Sequence, residues 1–221
     1  GMIGNFLAPD AAFRFARGET VRASGGARAK LVRPLDFLVV ADHAENLGLA
    51  PLIAESAPEL LRNAWGKRVH DLVKAGDPWA AYGEWGQQMA VREDPLDDDA
   101  LTRTIWNRLV DHTEHFNEPG VFTALHGFEW SSSPEANNLH RVVVFRDGAD
   151  EVADLVPFSN YDSSDPEDLW AWMDAWQQRT GGRVLAIPHN GNLSNGLMFD
   201  DVTLAGEPLD RDYAERRALW E

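Results

Sequence analysis

Short apolar runs that break off at metal-ligand residues constrain this chain most. Leu35 to Ala41 follows Pro34, is interrupted only by Asp36, and ends on Asp42-His43. Val121 to Phe128 follows the turn-forming Asn117-Glu118-Pro119-Gly120 and ends on Glu129. Arg183 to Pro188 follows Gly181-Gly182 and ends on His189. Runs of this length, bounded by Gly and Pro, suit strands buried on both faces, as in parallel sheets covered by helices. In such α/β folds the loops converge at the carboxyl ends of the strands, and chemistry gathers there. Side chains spread from position 42 to position 189 are therefore expected to meet at one rim.

His140 opens its run (Leu139 to Phe145) instead of closing it. Only ten residues separate Glu129 from His140, too few for a crossover helix between parallel strands. Ser131 to Asn137, rich in Ser, Pro and Asn, is expected to turn a hairpin. A strand returning from a hairpin starts where its partner ended, so His140 should face Glu129. The set then holds two or three imidazoles and one or two carboxylates. Imidazole suits zinc, iron and manganese, and a carboxylate can bridge two such ions. Each residue alone has a plainer reading: Asp42-His43 as a cap or turn, Glu129 as a surface charge, His189-Asn190-Gly191-Asn192 as a turn-rich loop. Only their joint placement argues for metal.

The stretch from Arg33 to Gly48, centred on Asp42-His43-Ala44-Glu45-Asn46, resembles the second metal motif of the PHP (polymerase and histidinol phosphatase) superfamily. More narrowly, it resembles a bacterial branch known as domain of unknown function 3604. Gly127 to Ser132, Asn138 to Phe145, Ile187 to Asn192 and the opening Pro9 to Glu19 are similar to the same branch, in order along most of the chain. The resemblance implies an α/β fold, a distorted or incomplete PHP-like (β/α)7 barrel that holds up to three divalent ions (Zn, Mn or Fe). By that likeness Glu129, His140 and His189 hold one ion, with Glu129 also bridging to another. His43 holds a separate ion, and Asp42 orients it or coordinates weakly. Asp42, His43 and Glu129 are the catalytic candidates. Arg141 and Asn190 are substrate-contact candidates by adjacency, with a structural role equally open to each.

Two departures qualify the likeness. PHP proteins open with His-x-His on the first strand and close with Asp-x-His near the last, and neither occurs in this sequence. The close pair His112 and His115 shares a helix face at i, i+3, a spacing that more often marks a solvated face than a site. The chain begins at Gly1-Met2, where relatives would have finished the first motif, and stops at Glu221 before the last. The expectation is an incomplete member with one well-preserved ion site.

A chain of 221 residues, 44% hydrophobic, has material for one sizeable core, so one domain spanning 1–221 is expected. Its net charge of −16, from 20 basic and 36 acidic residues, disfavours non-specific nucleic-acid binding, which needs Lys and Arg against phosphates. The absence of cysteine rules out disulfides and thiolate ligands and leaves the compartment open. No apolar stretch approaches the roughly 20 residues needed to span a bilayer.

Pro9 to Ala16 reads as a short helix, and Glu19 to Leu31 as a small hairpin pivoting on Gly25-Gly26. Residues 47 to about 117 read as three or four helices inserted beside the barrel mouth. They carry Trp65, Trp79, Trp85 and Trp106, which either pack the insertion or line a substrate pocket. His70 has no evident partner there, and Asp97-Asp98-Asp99 reads as a solvated helix start. Pro166 to Arg179 should be a helix with Trp172 and Trp176 on its buried face, Leu209 to Trp220 another. Gly191 to Gly206 reads as a rim loop of the kind that closes over substrates.

Water on a divalent ion has its pKa lowered from about 15.7 toward 7 and becomes a nucleophile. The likeness points to phosphoester hydrolysis of a small anionic substrate. Hydrolysis of another ester or an amide would use the same water. The sequence has no Gly-rich nucleotide loop and no Gly-x-Ser-x-Gly elbow. The rival expectation is a PHP-like scaffold that has lost its metals and serves for binding.

Overall fold

A computed structural model describes Ile3 and residues 7–221 of the chain. Gly1-Met2, where the sequence was set against the first-strand motif, lies outside them. Helix α1 (Pro9–Ala16) has proline in its first turn beside Asp10 and buries Phe13 and Ala16. Strands β1 (Val21–Arg22) and β2 (Arg28–Ala29) form a small antiparallel ladder. Gly26, at its turn, takes φ 88°, a conformation open to a residue without Cβ. After β3 (Phe37–Val39) come five helices: α2 (Leu49–Glu55), α3 (Pro58–Arg62), α4 (Ala64–Lys74), α5 (Pro78–Val91) and α6 (Asp99–Phe116). Side-chain caps start three of them: Asn63 accepts from Gly66 N, Asp77 from Ala80 N and Asp98 from Leu101 N. The aspartate run at 97–99 thus initiates α6. His70, without an evident partner in the sequence, lies 2.9 Å from Ser56 Oγ. The rest of the chain adds β4 (Thr123–Trp130), β5 (Arg141–Phe145), α7 (Ala149–Val152), α8 (Pro166–Thr180), β6 (Val184–Pro188) and α9 (Arg211–Trp220).

The main sheet has the order β3-β4-β5-β6. β3 is parallel to β4, and β5 is antiparallel to both β4 and β6. Hence β3, β4 and β6 run the same way and end at one rim, and β5 starts there. Among the described residues the sheet is open, with β3 and β6 at its edges. No helix of the described residues is long and apolar enough to cross a membrane.

Cross-strand partners share a face, so the register sorts the side chains. Phe128, Trp130, Val143, Phe145, Val184 and Ala186 lie on one face and form the core with Trp106 of α6 and Trp170, Met173 and Trp176 of α8. Trp106 donates its indole N–H to Val152 O at 2.7 Å, which satisfies its polar atom inside that core. The opposite face carries Phe37, Leu125, Glu129, Val142, Leu185 and Ile187. Burial on both faces, expected from the apolar runs, does not occur: Phe37 is 64% exposed, Leu185 47% and Ile187 48%. The helices pack on one side of the sheet only, so apolar residues of the other parity meet solvent. Trp172, expected to be buried with Trp176, is half-buried against Phe128 and Phe158.

Candidate metal centre

Strand pairing sets the site. Beyond the end of β3, Glu129 N donates to Asp42 O and Ala44 N to Glu129 O, each at 2.8 Å. This extra bridge locks His43 beside Glu129. Across the hairpin, Glu129 pairs with Val142, and His140 stands just before β5 at the same rim. His189 follows β6 and donates its backbone N–H to His140 O at 3.2 Å.

Glu129 Oε1 lies 2.6 Å from His140 Nδ1 and 3.0 Å from His189 Nε2. One ligand atom from each of Glu129, His140 and His189 lies within 4.8 Å of the others. Glu129 Oε2 turns the other way, 3.8 Å from His43 Nδ1. The carboxylate therefore faces imidazoles with both oxygens, as a bridging ligand does. Two donors about 2.1 Å from a shared tetrahedral ion stand about 3.4 Å apart. The observed separations are shorter by less than an ångström, a gap that side-chain torsions can open. The donor set, one carboxylate and two imidazoles, suits zinc, iron or manganese. Among the described residues no other group of three such side chains converges in this way.

Burial would raise the carboxyl of Glu129. The hydrogen bond from His140 and the neighbouring His43, His140 and His189 outweigh it and hold the group below the usual glutamate range. Glu129 therefore stays an anion, as a ligand must. His140 Nε2 reaches Ser133 Oγ at 3.0 Å, an outer contact that fixes the ring's orientation. His43 Nδ1 is held by Ser131 Oγ at 2.5 Å, and the ring keeps 47% of its surface exposed. Its Nε2 makes no hydrogen bond among the described residues.

The remaining candidates lie apart from this cluster. Asp42 ties β3 to β4 through its carbonyl, and its carboxylate makes no hydrogen bond among the described residues. Desolvation raises that carboxyl, against the pull of His43, although the residue keeps an exposed edge. Arg141 faces the core instead of the rim. Its Nε donates to Glu221 Oε1 at 3.0 Å, its Nη1 donates to Leu139 O, and its guanidinium lies 5.7 Å from the Trp130 ring centre. It is a buried structural cation on the face opposite Glu129, so the suggestion that it touches substrate is withdrawn. Asn190 is exposed beside His189 with φ 56°, and its carbonyl accepts from Leu193 N at 2.8 Å. It shapes the turn and leaves its amide at the rim. His112 and His115 are exposed on α6 and belong to no such cluster among the described residues.

Four neighbours were not assigned to the metal site from the sequence, although Trp85 was among the tryptophans that either pack or line a pocket. Ser131 and Ser133 sit in a stretch read only as a turn. Glu45, two residues past His43, is buried, and its Oε1 accepts from Ser131 N and Asn160 N. Trp85 of α5 packs edge-on against His43, ring centres 5.5 Å apart. The serines had a signal, a run of three hydroxyls (Ser131, Ser132 and Ser133) within four residues of Glu129. The signal of Glu45 was its place in the stretch that resembles the PHP motif, and that of Trp85 its place among the tryptophans of the helical insertion; neither told its contact with this site.

A family model described as "Protein of unknown function (DUF3604)" matches residues 1–221. No curated protein and no solved structure matches the chain.

Proposed function

The chain belongs to the DUF3604 family, whose description assigns no activity, and from its own residues we propose a metal-dependent hydrolase, most simply a phosphoesterase acting on a small anionic substrate. The observation that carries this reading is one carboxylate oxygen flanked by two imidazoles from three separate strand ends. Glu129, His140 and His189 would hold the ion, and His43 lies on the far side of the same carboxylate. When bound, a divalent ion there activates water and neutralises the anionic oxygens of an ester. Glu129 keeps the charge that fixes the cation. Ser133 and Ser131 orient His140 and His43. His43, open to the rim at Nε2, is placed to hold the proton that a departing ester oxygen takes up as the bond to phosphorus breaks and water's oxygen replaces it. A part of a PHP-like barrel remains the architecture proposed for this sheet, with Asp42 supporting His43 from the first of its strands.

Elemental analysis of the purified protein tests the reading. At least one Zn, Mn or Fe per chain is expected, with affinity reduced by more than about 100-fold in Glu129→Ala and His189→Ala, beyond what loss of an outer partner costs. A wild-type chain that binds none of these ions, and whose unfolding is indifferent to metal and chelator, overturns it in favour of a non-catalytic scaffold.

A further inference from the structure

His140 and His189 stand opposite each other, one position beyond the paired ends of β5 and β6. A hydrogen-bonded pair in an antiparallel ladder exchanges two backbone bonds. Here the described residues form one of the two: His189 N donates to His140 O at 3.2 Å. The N–H of His140 turns away from His189 and donates instead to Asn138 Oδ1 at 3.1 Å. Strand β5 accordingly begins at Arg141 and not at His140. Among the described residues this is the one hydrogen bond that the Asn138 side chain makes.

The other polar atom of the same peptide unit is held as well. Leu139 O accepts from Arg141 Nη1. Two side chains thus grip one planar peptide, Asn138 at its N–H and Arg141 at its C=O. That plane sets the backbone angle on the nitrogen side of His140, and with it the direction in which the ring leaves the chain. The buried guanidinium has no room to let go. Its Nε donates to Glu221 Oε1 at 3.0 Å, an oxygen that also accepts from the Trp170 indole at 3.1 Å, and it lies 5.7 Å from the Trp130 ring centre. Held this way, the ring of His140 sets Nδ1 2.6 Å from Glu129 Oε1 and Nε2 3.0 Å from Ser133 Oγ.

We propose that Asn138 and Arg141 are positioning residues for His140: they fix the Leu139–His140 peptide where the ladder would otherwise claim it, and so aim the ring at the ion. The inference rests on the metal-centre reading and deepens it by naming what holds one of the ligands. Neither residue touches the ion or the substrate. Ser133 steadies the far nitrogen of the ring, and the peptide grip steadies the backbone from which the ring springs. Partners of this outer kind matter to a metal site because their loss lets the ligand drift, at a typical cost of about 10- to 100-fold in affinity. Glu221 lies just past α9, so the brace runs from the last helix through Arg141 to the ligand.

Zinc and cobalt(II) titrations of the full chain, with urea unfolding of the metal-free protein alongside, test the brace. Asn138 is half-buried at the rim, so changing it leaves the core intact. Asn138→Ala releases the N–H of His140. It is expected to weaken zinc about 10- to 100-fold and to alter the visible absorption of bound cobalt, which reports the geometry of the ligands. Asn138→Ser returns an uncharged acceptor two residues before the same N–H and should recover most of the affinity and the wild-type spectrum. Arg141→Lys keeps a charge beside Glu221 but loses the fork that reaches two acceptors at once, and should weaken zinc by a similar factor. A role in folding alone would move the urea midpoints and leave zinc affinity and the cobalt spectrum of the folded variants as in wild type, which overturns the proposal. Equal losses in Asn138→Ala and Asn138→Ser overturn it too, since they trace the effect to side-chain bulk. Wild-type zinc affinity in Arg141→Lys overturns the part given to Arg141. A wild-type chain that binds neither ion sinks the metal-centre reading and the brace with it, whereas a wild type that binds zinc no better than Asn138→Ala strikes the brace alone.

Discussion

Glu45 grips two backbone N–H groups with a single oxygen, Ser131 N at 3.2 Å and Asn160 N at 2.6 Å, while its Oε2 is buried without a partner. It thereby fastens the segment after β4, which carries the Ser131 hydroxyl against His43, to the loop at Asn160, 115 positions from Glu45 itself. Burial raises its carboxyl above the usual range, against the hydrogen bonds from Asn160 and Ser131 and the charge of His43. Glu45→Ala strands both N–H groups and is expected to cost about 2–4 kcal/mol of folding stability, the penalty for buried donors left unmade. Glu45→Gln keeps the accepting oxygen and should be milder. The pH dependence has a definite sign. With the folded-state pKa above the unfolded value of about 4.3, the folded chain retains the proton longer. The stability that this group confers is complete below the unfolded value and falls as pH rises through the folded one. Urea unfolding should therefore show Glu45→Gln gaining on wild type as pH rises above the unfolded value, and parallel profiles would refute it. The stretch that resembles the PHP motif includes this residue, but nothing in the sequence shows its bracing role, because its partner on the far loop is set by tertiary packing alone.

At the scale of elements, two glycine positions carry opposite expectations. Gly83 sits on the open face of α5 with nothing within 4 Å of a Cβ, so Gly83→Ala should stabilise the protein by about 0.5–1 kcal/mol through backbone entropy. Gly127 lies within β4, where a Cβ would stand 2.6 Å from Val143 O and 2.6 Å from Val39 Cγ2. The carbonyl belongs to the ladder and cannot retreat, so Gly127→Ala should cost about 1–3 kcal/mol, the range for overpacking. Thermal unfolding of the two variants reads both signs, and a shared sign would refute the packing argument. Glycine identity alone does not tell these positions apart in the sequence. The hairpin between Glu129 and His140 was legible, because ten residues leave no room for a crossover, and so was the shared rim of Asp42-His43, Glu129 and His189. The facing of Arg141 was not. Adjacency to His140 suggested the site, but a strand alternates faces at every residue, and the register sends Arg141 to the core with Trp130.

For the molecule as a whole, nearly all the helical mass lies on one side of the sheet. Trp106, Trp170, Met173 and Trp176 close that side. The other side presents Phe37, Leu185 and Ile187 to solvent, along with the two edge strands β3 and β6. The apolar runs could not reveal this, since a strand of the same composition serves equally between two layers or under one. An apolar face of this kind binds hydrophobic dyes and favours association through the adjoining edges. Phe37 begins β3 and Leu185 is the second residue of β6, and Leu185 precedes His189 by four residues, about 13 Å along a strand, so both can be changed without touching the metal centre. Phe37→Lys combined with Leu185→Lys should remove most of the anilinonaphthalene sulfonate fluorescence of the folded protein. Folding stability should move by no more than about 0.5 kcal/mol per site, as for surface changes, and bound metal per chain should stay the same. A dye signal that survives both lysines would mean that the dye binds elsewhere on the molecule, and would refute the assignment of its site to this face of the sheet.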